Sequence, residues 1–391
     1  MEKYYRVYAD IDLDAIYDNV KGLKSLLDEK TGVIAVIKAD GYGHGAVPIA
    51  KKIGDLVAGY AVATVYEGVN LRINGIDKPI LILGYTFEAD YDKLIEYDIT
   101  ATVFDLESVK KLSEYAIKAG KVAKCHIKVD TGMRRIGMLP TKENAKLVKE
   151  MSELGGIDIE GIFTHFASSD ECDKTFANNQ FKLFNDFIDM CNLEGVNFKY
   201  RHCANSAAII DMPQTSYELS RAGIAMYGLY PSEEVDKDKI VLKPAMSIHS
   251  HVTYVKTVKK GEGISYGSTY VPEHDIKVAT IPVGYGDGYP RSLSNKGYVL
   301  INGKKAYILG RVCMDQFMVD VSDIDNVCTG TLVTLIGRDG DDFISVEEIA
   351  NLSGSFNYEF VCDVGKRIPR CFYSKGHFIG SKDYFDEIYE M

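Results

Sequence analysis

The sequence predicts an α/β fold: a (β/α)8 TIM-type barrel over residues 1–243, followed by a mostly β C-terminal domain over residues 244–391. Three observations lead there. Eight short β-branched runs alternate with longer amphipathic stretches in the first part of the chain, the pattern of repeated strand–helix units. After about residue 243 the texture changes to strands separated by Gly and Asp turns. Unusual polar groups also recur at the ends of the barrel strand candidates, the face on which such barrels place their chemistry.

The strand candidates are Val33–Ile37, Tyr60–Ala63, Ile80–Leu83, Thr100–Phe104, His126–Val129, Glu160–Phe163, Tyr200–Cys203 and Ile224–Tyr227. Between them, segments such as Leu106–Gly120 and Thr141–Leu154 carry Lys, Glu, Leu and Ala at helical spacing, and Gly120 and Gly155 mark helix ends. Eight such units close as a barrel; a doubly wound open sheet is the weaker competitor. Further on, His251–Val258, Ile276–Val283, Gly297–Ile301, Lys305–Leu309, Met318–Val321 and Leu332–Ile336 read as strands, with Asn302-Gly303 as a hairpin turn. The charged run Glu233–Lys239 and Pro244 mark the boundary.

A chain of 391 residues, 46% hydrophobic, can bury a large core and favours two domains. Its net charge of -11 argues against nucleic acid and anionic membrane as partners, while leaving room for a local anion pocket. The eight cysteines show neither paired spacing nor Cys/His groups of the kind zinc needs, so no metal is expected and they read as small buried hydrophobes in a reducing compartment. Acidic residues at Asp10, Asp12 and Asp14 follow the N-terminus before any long apolar run, and no apolar stretch of about eighteen residues occurs. A soluble, cytoplasmic protein is expected.

Lys38 directly follows Val33–Ile37 and precedes Ala39-Asp40-Gly41-Tyr42-Gly43-His44-Gly45. Alone, a strand-end lysine is more readily a surface residue, because a buried amine is costly unless paired or used covalently. Its company changes the balance. Lys128 and Asp130 end the fifth strand candidate, His165 the sixth, and Asn205 and Ser206 the seventh, while Arg221 precedes the eighth. Five strand ends converging on one face describe a catalytic mouth.

These segments resemble the alanine racemase family along nearly the whole chain. Val36–Gly45 matches the family's cofactor-lysine signature, and Lys128–Gly137 belongs to the same series. Ser265–Tyr270, Gly284–Gly288, Gly310–Gln316 and Asn357–Glu359 match its second-domain motifs, in the family's order. Arg134 stands where Gly is usual, Asp40 and Gly41 where Asn and Ala are commoner, and Ala222 where a bulkier residue is usual. None of these removes a group the chemistry needs.

The resemblance implies a pyridoxal 5'-phosphate enzyme that interconverts L- and D-alanine with two bases, supplying D-alanine for peptidoglycan. Lys38 would hold the cofactor as a Schiff base and work on one face of the substrate carbon, and Tyr266 on the other. Because an ordinary tyrosine titrates near ~10, a nearby cation is expected to assist Tyr266, with His165 and Arg221 as candidates. Arg221 would donate to the cofactor's ring nitrogen. Its phosphate would be held by Tyr42, Ser206, Tyr358 and the backbone N–H groups of Gly223 and Ile224, with His165 and Asn205 completing the cofactor shell. Arg135 would meet the phenolic oxygen and the substrate carboxylate, the latter with Met314. Lys128, often carbamylated in the family, would orient Arg135, and Tyr285 and Asp315 would support the site. Tyr266 would act in the partner's site of a homodimer. Tyr285 and Tyr358 would narrow the mouth in favour of alanine, with serine or a broader set of small amino acids as the alternative. A barrel-type decarboxylase would set a carboxylate, not Arg221, at the ring nitrogen, and a non-catalytic cofactor-binding barrel would lack the second domain.

Overall fold

The computed structural model describes residues 4–385. They form two compact units: Ile16–Gly41 with Ala46–Lys243, and the residues up to Ala15 with Tyr42–Gly45 and those from Pro244 onward.

The first unit is the expected barrel. Its parallel strands are β2 (Gly32–Val36), β3 (Gly59–Val62), β4 (Ile80–Ile82), β5 (Ala101–Val103), β6 (Ala123–Lys128), β7 (Ile157–Phe163), β8 (Tyr200–His202) and β9 (Leu219–Ala222), numbered after the N-terminal strand β1 (Val7–Asp12). They pair in the orders β4-β3-β2-β9 and β5-β6-β7-β8. Main-chain bonds Ile82 N to Thr100 O (3.0 Å) and Arg221 N to Ala204 O (2.9 Å) join the two runs, so the ring closes and no edge remains. The residues of β3, β4, β5 and β9 are all buried, which is why these strands read as continuous apolar runs rather than alternating ones. Helices start where short polar side chains satisfy their first N–H groups: Thr64 forms a capping box with Glu67, Asp105 caps Leu106–Lys118, and Thr141 caps Lys142–Ser152.

One strand assignment is corrected. The eighth strand is Leu219–Ala222, and Ile224–Tyr227 is a 3-10 turn. Both segments are buried, and an apolar run of four carries no periodicity that separates strand from buried helix. Arg221 therefore lies within the strand rather than before it, its charge having disguised Leu219–Ala222.

The second unit is built on an 11-stranded sheet. Its other strands are β10 (Met246–His251), β11 (Tyr254–Val258), β12 (Ile276–Ile281), β13 (Tyr298–Ile301), β14 (Lys304–Leu309), β15 (Phe317–Asp320), β16 (Leu332–Asp339), β17 (Asp342–Ile344), β18 (Arg370–Ser374) and β19 (His377–Lys382). β1 sits inside it, antiparallel to β10 and parallel to β18. The expected partition gave everything before residue 244 to the barrel. By their contacts the residues up to Ala15, with Tyr42–Gly45, group with the sheet unit instead, β1 through its pairing with β10 and β18. The run expected as one strand over His251–Val258 is two strands, β10 and β11, broken at Val252-Thr253. The Asn302-Gly303 hairpin joins β13 to β14 as expected. Among the described residues no helix is long and apolar enough to cross a membrane. Cys125, Cys191 and Cys203 are buried free thiols, whereas Cys172 and Cys328 are exposed.

A buried carboxylate ties the sheet unit together. Asp287, fully buried, accepts from Arg6 Nη2 at 2.7 Å, Arg367 Nε at 3.0 Å and Gly284 N at 3.0 Å. The next residue, Gly288, has φ +92°, and a Cβ there would lie 1.9 Å from Asp363 O. Backbone cannot yield as a side chain does, so Gly288→Ala is expected to destabilise the protein by about 2–5 kcal/mol, adding left-handed strain to overpacking. A lowered thermal midpoint checks this; an unchanged midpoint contradicts the packing described.

Candidate active site

Lys38 begins the segment after β2. Ala39, Asp40, Gly41 and Tyr42 follow with φ of 51°, 51°, 65° and 51°, one turn of left-handed helix closed by Gly41 N to Ile37 O at 2.8 Å. Each non-Gly residue there costs about 1–2 kcal/mol, so the turn persists only because its surroundings hold it. Glu67 Oε1 accepts from Ala39 N at 2.6 Å, and Asp40 Oδ1 accepts from Ala46 N at 2.9 Å. Glu67 Oε2 also takes Ala63 N and Thr64 N, so one carboxylate fixes both the helix start and the residue after Lys38. Glu67 was missed from the sequence, although Thr64-x-x-Glu67 is a readable capping pattern.

Arg221 is the centre of the barrel cluster. Nη1 donates to His202 Nδ1 at 2.7 Å and His202 O at 3.1 Å, and Nη2 donates to Thr164 O, Cys203 O and His165 Nδ1 at 2.8, 3.0 and 3.2 Å. Nε takes part in none of these bonds. Its guanidinium and the Lys128 amine both face the Phe163 ring, on which His202 stacks at 4.8 Å.

So much buried positive charge shifts its neighbours. Burial, followed by the charge of Arg221, lowers the Lys128 amine to about 7. Burial and then Arg221, Arg135, Lys128 and Lys38 hold the His165 imidazole neutral, well below its usual value. Burial, then Arg221, His126 and Lys128, do so for His202. His165 is therefore no source of positive charge near neutrality, which corrects the expectation that it could serve Tyr266 as one. Lys128 Nζ donates to Val129 O at 2.7 Å, and Asp130 Oδ1 accepts from Gly132 N and Arg134 N. Arg134 has φ +57°, a left-handed conformation that glycine adopts more easily than arginine. Arg135 beside it is exposed.

The segments that follow β8 and β9 meet at Ser206. Ser206 Oγ accepts from Gly223 N at 2.9 Å and from Ala225 N at 3.4 Å, with Ile224 between them opening the 3-10 turn. Asn205 acts as a helix cap, its Oδ1 accepting from Ala208 N and from Ser169 Oγ.

Within the sheet unit, the Tyr42 and Tyr358 rings meet at 6.2 Å. Burial raises the Tyr42 phenol, so it stays protonated and can donate. Tyr266, Tyr285 and Met314 share a second cluster there and are 71%, 43% and 53% exposed. Ser265 Oγ donates to Arg311 O at 2.7 Å, Tyr285 N to Cys313 O at 3.1 Å, and Gly286 N to Met314 O at 2.9 Å, which binds the three segments side by side. Asp315 is held by Arg367 Nη1 at 2.7 Å.

Residues 11–231 match the family model for the alanine racemase N-terminal domain, and residues 245–372 the model for its C-terminal domain. The alanine racemase of Methanococcus maripaludis is 46% identical over 94% of this chain and 98% of its own length. Two solved structures are close in fold. The alanine racemase of Clostridium difficile 630 has a TM-score of 0.94 at 39% identity, covering 98% of this chain and 100% of that one. That of Bacillus anthracis, with bound L-Ala-P, has a TM-score of 0.94 at 38% identity, covering 99% and 100%. With both family models matched in order and relatives this similar over nearly the full length, the chain belongs to the alanine racemase family.

Proposed function

We infer that this protein is a pyridoxal 5'-phosphate-dependent isomerase that interconverts L- and D-alanine. The observation that carries the reading is Arg221: a buried, donor-only guanidinium whose Nη atoms are fully engaged and whose Nε is not, in a barrel end that also gathers Lys38, Lys128 and Arg135 about His165. That donor set suits an anionic cofactor bearing a ring nitrogen. Arg has no acceptor and keeps its proton, so a nitrogen facing it receives a hydrogen bond but no proton.

When bound, the cofactor accepts the electron pair left as the substrate carbon loses its proton, which no side chain alone achieves. Lys38 would carry it covalently and move the proton on one face, and Tyr266 on the other. Ser206 with the N–H groups of Gly223 and Ile224 would hold the phosphate in the barrel, and Tyr42 and Tyr358 would donate their phenols. His165 and Asn205 would complete this shell. Arg135 and Met314 would bind the substrate carboxylate, with Tyr285 and Asp315 as supports. The exposure of Tyr266 supports its use in the site of a second copy, a homodimer. Cytoplasmic residence belongs to the same reading.

Optical rotation of L-alanine should fall on adding the protein with pyridoxal phosphate, faster than that of L-serine. Faster serine turnover would replace the substrate, and turnover of neither would contradict the reading. Tyr266→Phe should lower kcat by about 10²–10⁴-fold, the usual reach of one general acid/base. Mixing inactive Lys38→Ala and Tyr266→Phe proteins should restore activity, because one site of each mixed dimer then has both residues; no recovery would place Tyr266 in its own subunit's site.

Lys128 supplies a pH prediction. An amine lowered to about 7 becomes neutral as pH rises through that value, and only the neutral amine adds to carbon dioxide. With ¹³C-bicarbonate, a carbamate carbon signal should grow from pH 6 to 8 and vanish in Lys128→Ala. No signal at either pH would refute carbamylation.

A further inference from the structure

Behind Arg221 the hydrogen bonding continues away from the cluster already described. His202 Nε2 lies 2.9 Å from His126 Nδ1, and His126 Nε2 lies 3.6 Å from Glu160 Oε1. Arg221 donates to His202 Nδ1, so the His202 proton must be on Nε2. That proton faces His126 Nδ1, which must accept, so the His126 proton is on the Nε2 that faces Glu160. A second proton on His126 would oppose the one on His202. Every donor then points from Arg221 toward Glu160.

The fold is adapted to this chain at two places. Cys125 pairs with Ile159 but His126 pairs with Gly161, so Glu160 is the extra residue of a β-bulge, and bulges turn a side chain to a new direction. A Cβ at Gly161 would lie 2.6 Å from the His126 ring, so only glycine leaves room for the imidazole. Burial pushes the Glu160 carboxyl up, but His126 beside it, with Lys124 and Lys199, outweighs burial and leaves it below the usual range. Glu160, His126, Lys124, Lys199 and Tyr200 line a cavity of about 300 Å³ at the N-terminal ends of the strands, so the chain runs from one end of the barrel to the other.

We propose that His126 and Glu160 are positioning residues for Arg221: with His202 they form a one-way polar relay, hydrogen-bonded from Arg221 to His126 and ended by the Glu160 carboxylate 3.6 Å beyond it, that fixes the guanidinium's orientation and balances its charge from the far end of the barrel. The proposal rests on the reading of Arg221 given above. Aligned hydrogen bonds strengthen one another, so a change at Glu160 is felt at Nη1. His126→Leu leaves the His202 proton without an acceptor and frees the ring to turn. His126→Gln keeps one acceptor and one donor in the same direction.

In the holoenzyme, His126→Leu should lower kcat for L-alanine about tenfold, leave KM within about twofold and shift the absorbance maximum of the bound cofactor, the upper end of what one hydrogen bond contributes. His126→Gln should restore kcat to within about threefold of the parent and return the absorbance maximum. Glu160→Leu, at the edge of the barrel, should act in the same direction by about threefold and serves if His126→Leu does not fold. Unchanged kcat and absorbance in a folded His126→Leu or Glu160→Leu protein would overturn the relay. If the parent protein does not racemise alanine, the reading of its function fails, and the absorbance comparison alone still decides the relay.

Discussion

The structure of the barrel unit turns on one buried guanidinium. Burial lowers Arg221 to about 10, which still leaves it charged at any physiological pH, so the fold must satisfy it rather than neutralise it. Three main-chain carbonyls and two imidazole nitrogens do so. Three ionisable neighbours give way: Lys128 loses most of its basicity, and His165 and His202 stay neutral. A fixed guanidinium with neutral imidazoles beside it offers donors and acceptors of set direction, which is what selective proton transfer at carbon needs.

Lys38 shows the opposite strategy. Its position depends on a left-handed turn that would not persist by itself, and Glu67 and Asp40 hold that turn from outside. In the sheet unit the loops carrying Tyr285 and Asp315 are anchored through Asp287 and Arg367, while the Tyr266 side chain remains exposed. Rigid main chain thus carries a projecting side chain.

Much of this was legible in the sequence. Seven of the eight barrel strands were placed by apolar runs ending in polar groups, because parallel strands covered on both faces have no alternation to lose. The eighth was displaced because Arg221 sits in the strand itself and a buried 3-10 turn looks as apolar as a strand. β1 was missed as part of the sheet because pairing with β10 and β18, some 240 and 360 residues away, is a tertiary fact. The site residues came from motifs, yet the groups that set their chemistry did not. Glu67 lay in a recognisable cap, whereas the His202–His126–Glu160 chain depends on a bulge that no local pattern announces. The neutrality of His165 likewise comes from its neighbours in space.

The central claim is that Arg221 is flanked by neutral imidazoles of fixed tautomer. Side-chain ¹⁵N shifts of His165 and His202 in the protein at pH 6, half a unit below the ordinary histidine value near 6.5, test it directly. The account predicts neutral rings with the proton on Nε2 for both. Imidazolium signals at either residue would contradict it.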